Sequence, residues 1–441
     1  MKNVKLENAK KIVNTLRKKG YEAYFVGGCV RDRVMKKVPK DYDIATDATA
    51  RDVMKLFRKT IPVGVQFGVV VVVKGKIQYE VATFRKDGEY IDGRRPVKVH
   101  FSNAKEDVLR RDFTINGLLY DPAKRKTLDY VGGVKDIEKK VLRCIGDAEK
   151  RFKEDKLRML RAVRFSARFG YIIEKKTFAA IKKHASKIHE VSTERIRDEL
   201  SKIFTDKNAA QGMDLLVKSG LMKEVLPEVC KMQGVAQPPN FHPEGDVYVH
   251  TRLMFELGKK MSATLAFAVL LHDVGKPDTY RVAERIRFDG HTWVGARMAG
   301  VIMKRLKFPN DIRKAVEIAI FNHLKFMDVK KMRVNKLKRF LKEPTFPMEL
   351  DLHRLDCLAS HGMLDNWHFC KRKLREYSRT KEALRPKPLV NGNDLIKLGY
   401  VPSPRFKEIL TFVEDGQLEN TIKTKRHALS LIKKHYPIEN K

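Results

Sequence analysis

The stretch DYDIATDAT, residues 41–49, carries three carboxylates in nine positions, and two of them, Asp41 and Asp43, flank a single tyrosine. In a strand, side chains alternate between faces, so Asp41 and Asp43 would point one way while Tyr42 and Ile44 turn into the core. Two like charges side by side are unfavourable unless a cation lies between them, and a hard divalent metal with oxygen ligands is the usual occupant. An isolated Asp-x-Asp also suits an acidic, solvated strand end or an Asx turn, so the context decides. Just upstream, YFVGGCVRDRVM reads as a strand, a double-glycine turn and a helix. Gly27 and Gly28 allow backbone N–H groups to approach a ligand, and the helix that follows turns its positive end toward an anion. A phosphate cradle beside a carboxylate strand equips a chain for nucleotidyl transfer, in which metals activate an attacking hydroxyl and neutralise the departing pyrophosphate.

A second set of chemistry-bearing residues lies between 240 and 375. The stretches FHPEGDVYVHT, LLHDVGKP, FDGHTW, FNHLK and RLDCLASH hold His250, His272, Asp273, His291, His323 and Asp356 in that order. A lone histidine is ordinarily a packed or surface residue. Imidazole and carboxylate donors together suit Ni, Mn, Fe or Zn.

Elements must position both sets, and the texture of the chain changes sharply near residue 145. Before it come strand-like runs: AYFVGG, FGVVVVVKGKIQYEVATF with a Lys-Gly-Lys turn inside it, and FTINGLLYD. After it, helical periodicity dominates. In EDKLRMLRAVRFSARFG, Leu157, Leu160, Val163 and Phe165 fall near one side, and Gly170 stands where a helix would stop. The loop-rich GVAQPPNFHPEGD and the break LRPKPLVNGND divide the rest. These changes set four expected domains: 1–145, 146–237, 238–376 and 377–441.

The chain has 441 residues, 43% of them hydrophobic, enough for several domains with a substantial core. Its formal net charge is +38, an excess that repels itself and therefore points to a polyanionic partner, nucleic acid by default. No apolar run of membrane-spanning length and no signal-peptide core is present, so no membrane partner is expected. The five cysteines are scattered without a Cys-x-x-Cys pair and read as reduced thiols of a cytoplasmic protein. Oligomeric state is not legible.

Taken together, VGGCVRD, DYDIAT, RRDFTINGLLYDP, DYVGG and EDKLRMLRAVRFSARFG resemble the class II polynucleotide nucleotidyltransferases, the CCA-adding enzymes and bacterial poly(A) polymerases, over nearly the whole chain. The resemblance implies an α+β fold: a polymerase-β-like head of mixed sheet and helices, followed by an all-α neck, body, HD domain and tail. It implies catalytic Mg²⁺ on Asp41 and Asp43, with Glu80 of IQYEVATF as a third carboxylate. Nucleotide contacts are implied for Gly27, Gly28, Arg31, Arg111, Asp112, Asn116, Asp155, Arg158, Arg161 and Arg164. HDVGK similarly resembles the HD phosphohydrolases, in which His250, His272, Asp273 and Asp356 would bind a first metal and His291 and His323 would lie near a second. A purely structural HD fold is the alternative; the full ligand set favours a competent site.

The implied activity is template-independent addition of CCA to tRNA 3′ ends from CTP and ATP. A poly(A) polymerase or A-only enzyme with the same head is the rival. The resemblance makes Asp155 and Arg158 the base reader, and the chemistry agrees. Cytosine and adenine each present an amino donor beside a ring-nitrogen acceptor, so a carboxylate can accept from the first while a guanidinium donates to the second. Residues 86–101, KDGEYIDGRRPVKVHF, resemble the loop that CCA- and A-adding enzymes carry. In the tail, VPSPRF stands where a Gly-Pro-rich turn is common in HD-bearing relatives.

Overall fold

The structure is a computed structural model and describes residues 2–87, 99–239, 242–379, 384 and 386–438. Two compact units are present: residues 1–230 with 305–307, and residues 231–304 with 308–441.

The first unit begins with a helix, Lys2–Lys18, that buries Ala9, Ile12, Val13 and Leu16 along one stripe. Their i, i+3, i+4, i+7 spacing is the helical period, and the stripe packs on the sheet. The strands up to residue 129 are β1 (Ala23–Val26), β2 (Asp43–Thr46), β3 (Thr60–Gly64), β4 (Val69–Lys74), β5 (Ile77–Thr83), β6 (Arg85–Asp87), β7 (Val99–Phe101), β8 (Leu118–Asp121) and β9 (Lys126–Asp129). Seven of them form one sheet in the order β3-β4-β5-β2-β1-β8-β9, and only β2 and β5 run parallel. The valine run of β4 alternates as a strand with one buried face should, Val70 and Val72 being fully enclosed. Gly75 makes the Lys-Gly-Lys turn at φ 64°. The register pairs Ile44 with Val81, so Asp43 and Glu80 are adjacent one position back and face the same way.

Two elements differ from the sequence expectation. In FTINGLLYD only Leu118–Asp121 is strand, and Thr114–Asn116 is a 3-10 turn. The cause is turn chemistry: Asn116 Nδ2 donates to Asp112 Oδ1 at 3.0 Å, closing the segment on itself. The second difference concerns the loop expected over 86–101. β6 and β7 pair as an antiparallel hairpin at its ends, while residues 88–98 lie outside the described residues.

Helices follow the sheet: Ala148–Glu154, Leu157–Phe169, Lys175–His184, Thr193–Phe204 and Ala209–Lys218. Leu157, Leu160, Val163 and Phe165 are buried as their spacing requires, and Gly170 ends the helix in the left-handed region at φ 68°. Among the described residues the second unit is helical apart from one short strand pair, Arg281–Val282 with Ile286–Arg287, and an isolated bridge between Ala236 and Asp246. Its C-terminal helices Gly392–Lys397, Arg405–Leu418 and Lys425–His435 enclose their own core around Leu395, Ile409, Val413 and Ile432. Buried Lys338 donates to the carbonyl of Leu418 at 2.6 Å, which ties that core to the helix Val334–Leu341. Among the described residues, no helix is long and apolar enough to cross a membrane.

The DYVGG motif makes a testable packing statement. A Cβ on Gly133 would lie 2.2 Å from the Thr114 carbonyl oxygen, whereas one on Gly132, at φ 75°, would meet open space. Gly133→Ala should therefore cost about 3 kcal/mol, the upper range of core overpacking. Gly132→Ala should cost about 1 kcal/mol, the left-handed penalty alone. Urea unfolding of both variants checks the order.

Candidate active site and metal centre

Gly27 leaves β1 at φ 68° and opens the helix Gly28–Val34, the strand–turn–helix expected of YFVGGCVRD. Arg111 lies against this turn, since a Cβ on Gly27 would be 3.3 Å from Arg111 Nη1. Asp43 and Glu80 lie side by side on one face beside it, and the Asp41 charge also reaches Asp43. Burial first, then the Glu80 and Asp41 charges against the opposing Arg111, push the Asp43 carboxyl up to about 6. A carboxylate raised by two acidic neighbours is an arrangement that a divalent cation relieves. Asp43 opens β2, while Asp41 precedes the strand, largely exposed, with Lys5 Nζ 3.2 Å from its Oδ1.

Behind these groups runs a chain of charge-assisted hydrogen bonds. Arg31 Nη1 donates to Asn116 Oδ1 at 2.6 Å, and Asn116 in turn donates to Asp112. Asp112 Oδ2 accepts from Arg161 Nε at 3.0 Å and Nη2 at 2.6 Å, and its Oδ1 accepts from the Phe113 amide. Burial alone would raise Asp112; the Arg161 guanidinium and these donors hold it down to about 2. Arg111 donates instead to buried Asp107, from Nε at 3.2 Å and Nη2 at 2.9 Å. Arg164 is spent on Glu199.

Asp155 and Arg158 are not joined as an i, i+3 pair on one helix. Asp155 has extended backbone at the end of Ala148–Glu154, and Arg158 lies on the next helix. Asp155 accepts from the Leu157 amide at 3.1 Å and from Arg195 Nη2 at 2.9 Å. Arg158 Nη1 donates to Glu154 Oε2 at 2.8 Å, and its Nη2 to the Arg110 carbonyl at 3.1 Å.

In the second unit the six expected ligands converge. His272, His291 and His323 each turn Nδ1 to a backbone carbonyl three residues earlier, at 2.9, 2.8 and 2.6 Å. That contact fixes the proton on Nδ1 and presents the Nε2 lone pair inward, as metal ligation requires. Asp273 receives them: His272 Nε2 is 3.1 Å from its Oδ2, and His291 and His323 Nε2 are 3.7 and 3.9 Å from its Oδ1. His250 Nε2 lies 3.1 Å from Asp356 Oδ1. Both Asp273 oxygens, His272 Nε2 and both His250 ring nitrogens are buried with no aligned hydrogen-bond partner. Orphaned donors and acceptors of this kind, three to a cluster, fit one or two cations. Burial lowers His323 to about 4, which keeps the ring neutral and able to ligate.

Several neighbours carry no sequence signal. Glu244 Oε1 is 2.6 Å from His250 Nδ1 and 2.9 Å from His242 Nδ1. Both lie in an irregular segment, where no period marks a side chain as inward. Lys276, buried, places Nζ 2.7 Å from Asp273 Oδ2 and donates to Gln237. Arg195 and Glu199 are likewise invisible as partners, because their helix brings them in from distant sequence.

Comparison with known proteins gives this geometry a class. Family models match for the poly A polymerase head domain over residues 23–143, a probable RNA and SrmB-binding site of polymerase A over 170–232, and an HD domain over 247–359. The chain thus joins a nucleotidyltransferase head to an HD domain, and both imply use of divalent metal. It belongs to the CCA-adding enzyme family. The CCA-adding enzyme of Geobacillus sp. strain WCH70 is 32% identical over 418 residues, covering 93% of each chain. That of Oceanobacillus iheyensis is 47% identical over 210 residues, covering 47% of this chain and 52% of that relative. In that match the chain spans about half the relative's length. The crystal structure of the Bacillus stearothermophilus CCA-adding enzyme in complex with CTP superposes with a TM-score of 0.75 at 27% identity, covering 97% of both chains.

The depressed Asp112 carboxyl yields a pH prediction. A folded-state value below the unfolded 3.8 contributes stability that is present above about pH 4 and lost as pH falls toward 2. At neutral pH the contribution is about 2 kcal/mol. In urea titrations the wild type should exceed Asp112→Asn by that margin at pH 7, and the gap should close between pH 4 and 2.

Proposed function

We propose that the protein adds CCA to the 3′ end of tRNA from CTP and ATP without a nucleic-acid template, releasing pyrophosphate. The observation that supports this most directly is the Asp43 carboxyl beside Glu80, raised by the Glu80 and Asp41 charges and opposed by Arg111, which lies against Gly27, in a chain alike along its length to CCA-adding enzymes. Poly(A) addition is the less favoured reading, because the relatives compared carry the CCA-adding name.

Asp41, Asp43 and Glu80 would hold Mg²⁺, which supplies Lewis-acid activation of the RNA 3′ hydroxyl and charge neutralisation at the triphosphate. The amides of the turn and Arg111 bind the triphosphate. Arg31, Asp112, Asn116, Arg161 and Arg164 shape the ribose and base pocket. Asp155 accepts from the amino group of cytosine or adenine, and Arg158 donates to the ring nitrogen. Arg195 and Glu154 fix those two side chains, which suits a reader that must present a constant edge.

The division of labour we propose is a catalytic head over 1–145, a nucleotide- and RNA-binding neck and body over 146–237, an HD domain over 238–376 and an RNA-binding tail over 377–441. The HD domain is a metal-dependent phosphohydrolase: His250, His272, Asp273 and Asp356 hold Ni, Mn, Fe or Zn, with His291 and His323 toward a second ion. Glu244 orients His250 from behind. The protein acts in the cytoplasm, where its thiols stay reduced.

The test uses tRNA lacking CCA, tRNA ending in CC and an unrelated RNA, each with single labelled nucleotides. Incorporation of C, C and A is expected; A alone or a long A tract would favour the rival. Asp41→Ala and Asp43→Ala should abolish addition while tRNA binding stays near normal, as filter binding would report.

Arg158→Ala should relax selection of C and A over U and G by about 1–3 kcal/mol, the value of a bidentate base contact, with HD phosphatase activity intact. Equal loss for all four nucleotides would remove these residues from base selection.

A further inference from the structure

A cavity of about 720 Å³ opens on the head sheet, and strand register puts it on the face away from Asp43 and Glu80. Val26 opposes Asp43, so those two side chains share one face. Phe25 opposes Ile44 on one side and Tyr120 on the other, so the Phe25 and Tyr120 rings share the opposite face. Tyr42 joins them, its ring centroid 5.5 Å from that of Phe25, and the Phe25 and Tyr120 rings stack at 6.2 Å. The cavity floor is therefore aromatic.

Its rim is cationic. Arg33, Lys37 and Arg125 line the opening, and no Asp or Glu is among the lining residues. Arg33 lies over the Tyr120 ring at 4.1 Å, presenting its guanidinium plane and donors together. Among the described residues none of these three cations forms an ion pair. Clustered cations beside an apolar recess repel one another and are relieved by an anion. An aromatic floor takes a flat π system, and the volume lies within the range of small-molecule sites. A ligand that satisfies both demands has an aromatic base joined to a phosphate.

We propose that this recess binds a free mononucleotide, the base against Tyr42 and Tyr120 and the phosphate on Arg33, Lys37 and Arg125. It is separate from the nucleotide site on the carboxylate face. A free nucleotide fits better than an RNA strand, because Leu6 and Lys10 of the helix Lys2–Lys18 wall one side and the β8–β9 turn the other. A strand needs a continuous track of stacking and charge. Since Tyr42 is bonded to both Asp41 and Asp43, the occupant touches the catalytic segment from behind.

The experiment uses the full chain and AMP. Equilibrium dialysis in chelator, without added divalent cation, should show AMP binding that weakens at least about tenfold in Arg33→Glu and in Lys37→Glu, as loss of a charge-assisted phosphate contact requires. Both variants should retain the wild-type circular dichroism and melting temperature. Irradiation with a photoactivatable azido-AMP should label the Tyr42 or Tyr120 side chain, located by fragmentation of the labelled peptide, and excess AMP should prevent the labelling. Labelling confined to the side chains of Asp41, Asp43, Arg111, Asp112 or Asp155 would overturn the proposal. So would the absence of AMP binding, unchanged affinity in both folded variants, or a single-stranded oligoadenylate that competes better than AMP.

Discussion

The ion pair of Asp112 with Arg161 ties the head to the helix Leu157–Phe169 that follows it. Each charge is costly to bury alone, and each is compensated by the other at 2.6 Å. Asp112 has further donors in the Phe113 amide and Asn116, so no acceptor position is wasted. Through Asn116 the chain reaches Arg31 in the helix after the glycine turn. A polar network of this type defines one geometry, because slipping any member leaves a buried charge unpaired. The candidate catalytic face and the candidate base reader are thereby fixed relative to each other within the first unit.

The two metal candidates solve the problem of like charges differently. In the head, Asp43 stands between Glu80 and Asp41, opposed by the Arg111 charge, and its carboxyl rises. A divalent cation there would relieve it. In the second unit, Asp273 is fully buried among His272, Lys276 and His291, which keep its carboxyl well below the usual range despite burial. Imidazole tautomers there are set in advance by backbone carbonyls. The first arrangement suits a hard, exchangeable ion; the second suits a resident one.

Charge has a similar double use. The excess of 92 Lys and Arg over 54 Asp and Glu is a polyanion signature. Yet the arginines of the central motifs are mostly internal fasteners: Arg110 and Arg111 on Asp107, Arg161 on Asp112, Arg164 on Glu199.

The sequence by itself determined the order of elements and the residues able to do chemistry. The glycine turn, the valine strand and the helix ending at Gly170 are local features, governed by φ preference and side-chain period, whereas the strand expected to carry both Asp41 and Asp43 begins only at Asp43. The histidines and aspartates of the second unit were legible too, since motifs of unusual residue types mark them. Tertiary structure alone decided who faces whom. Asp155 meets Arg195, forty positions further along the chain. Glu244 and His242 come from a loop, where no periodicity tells inside from outside. The aromatic recess behind Tyr42 joins residues from β1, the segment before β2, β8 and the first helix. Those partners are far apart in the chain, and only the pairing register of the sheet brings them to one face.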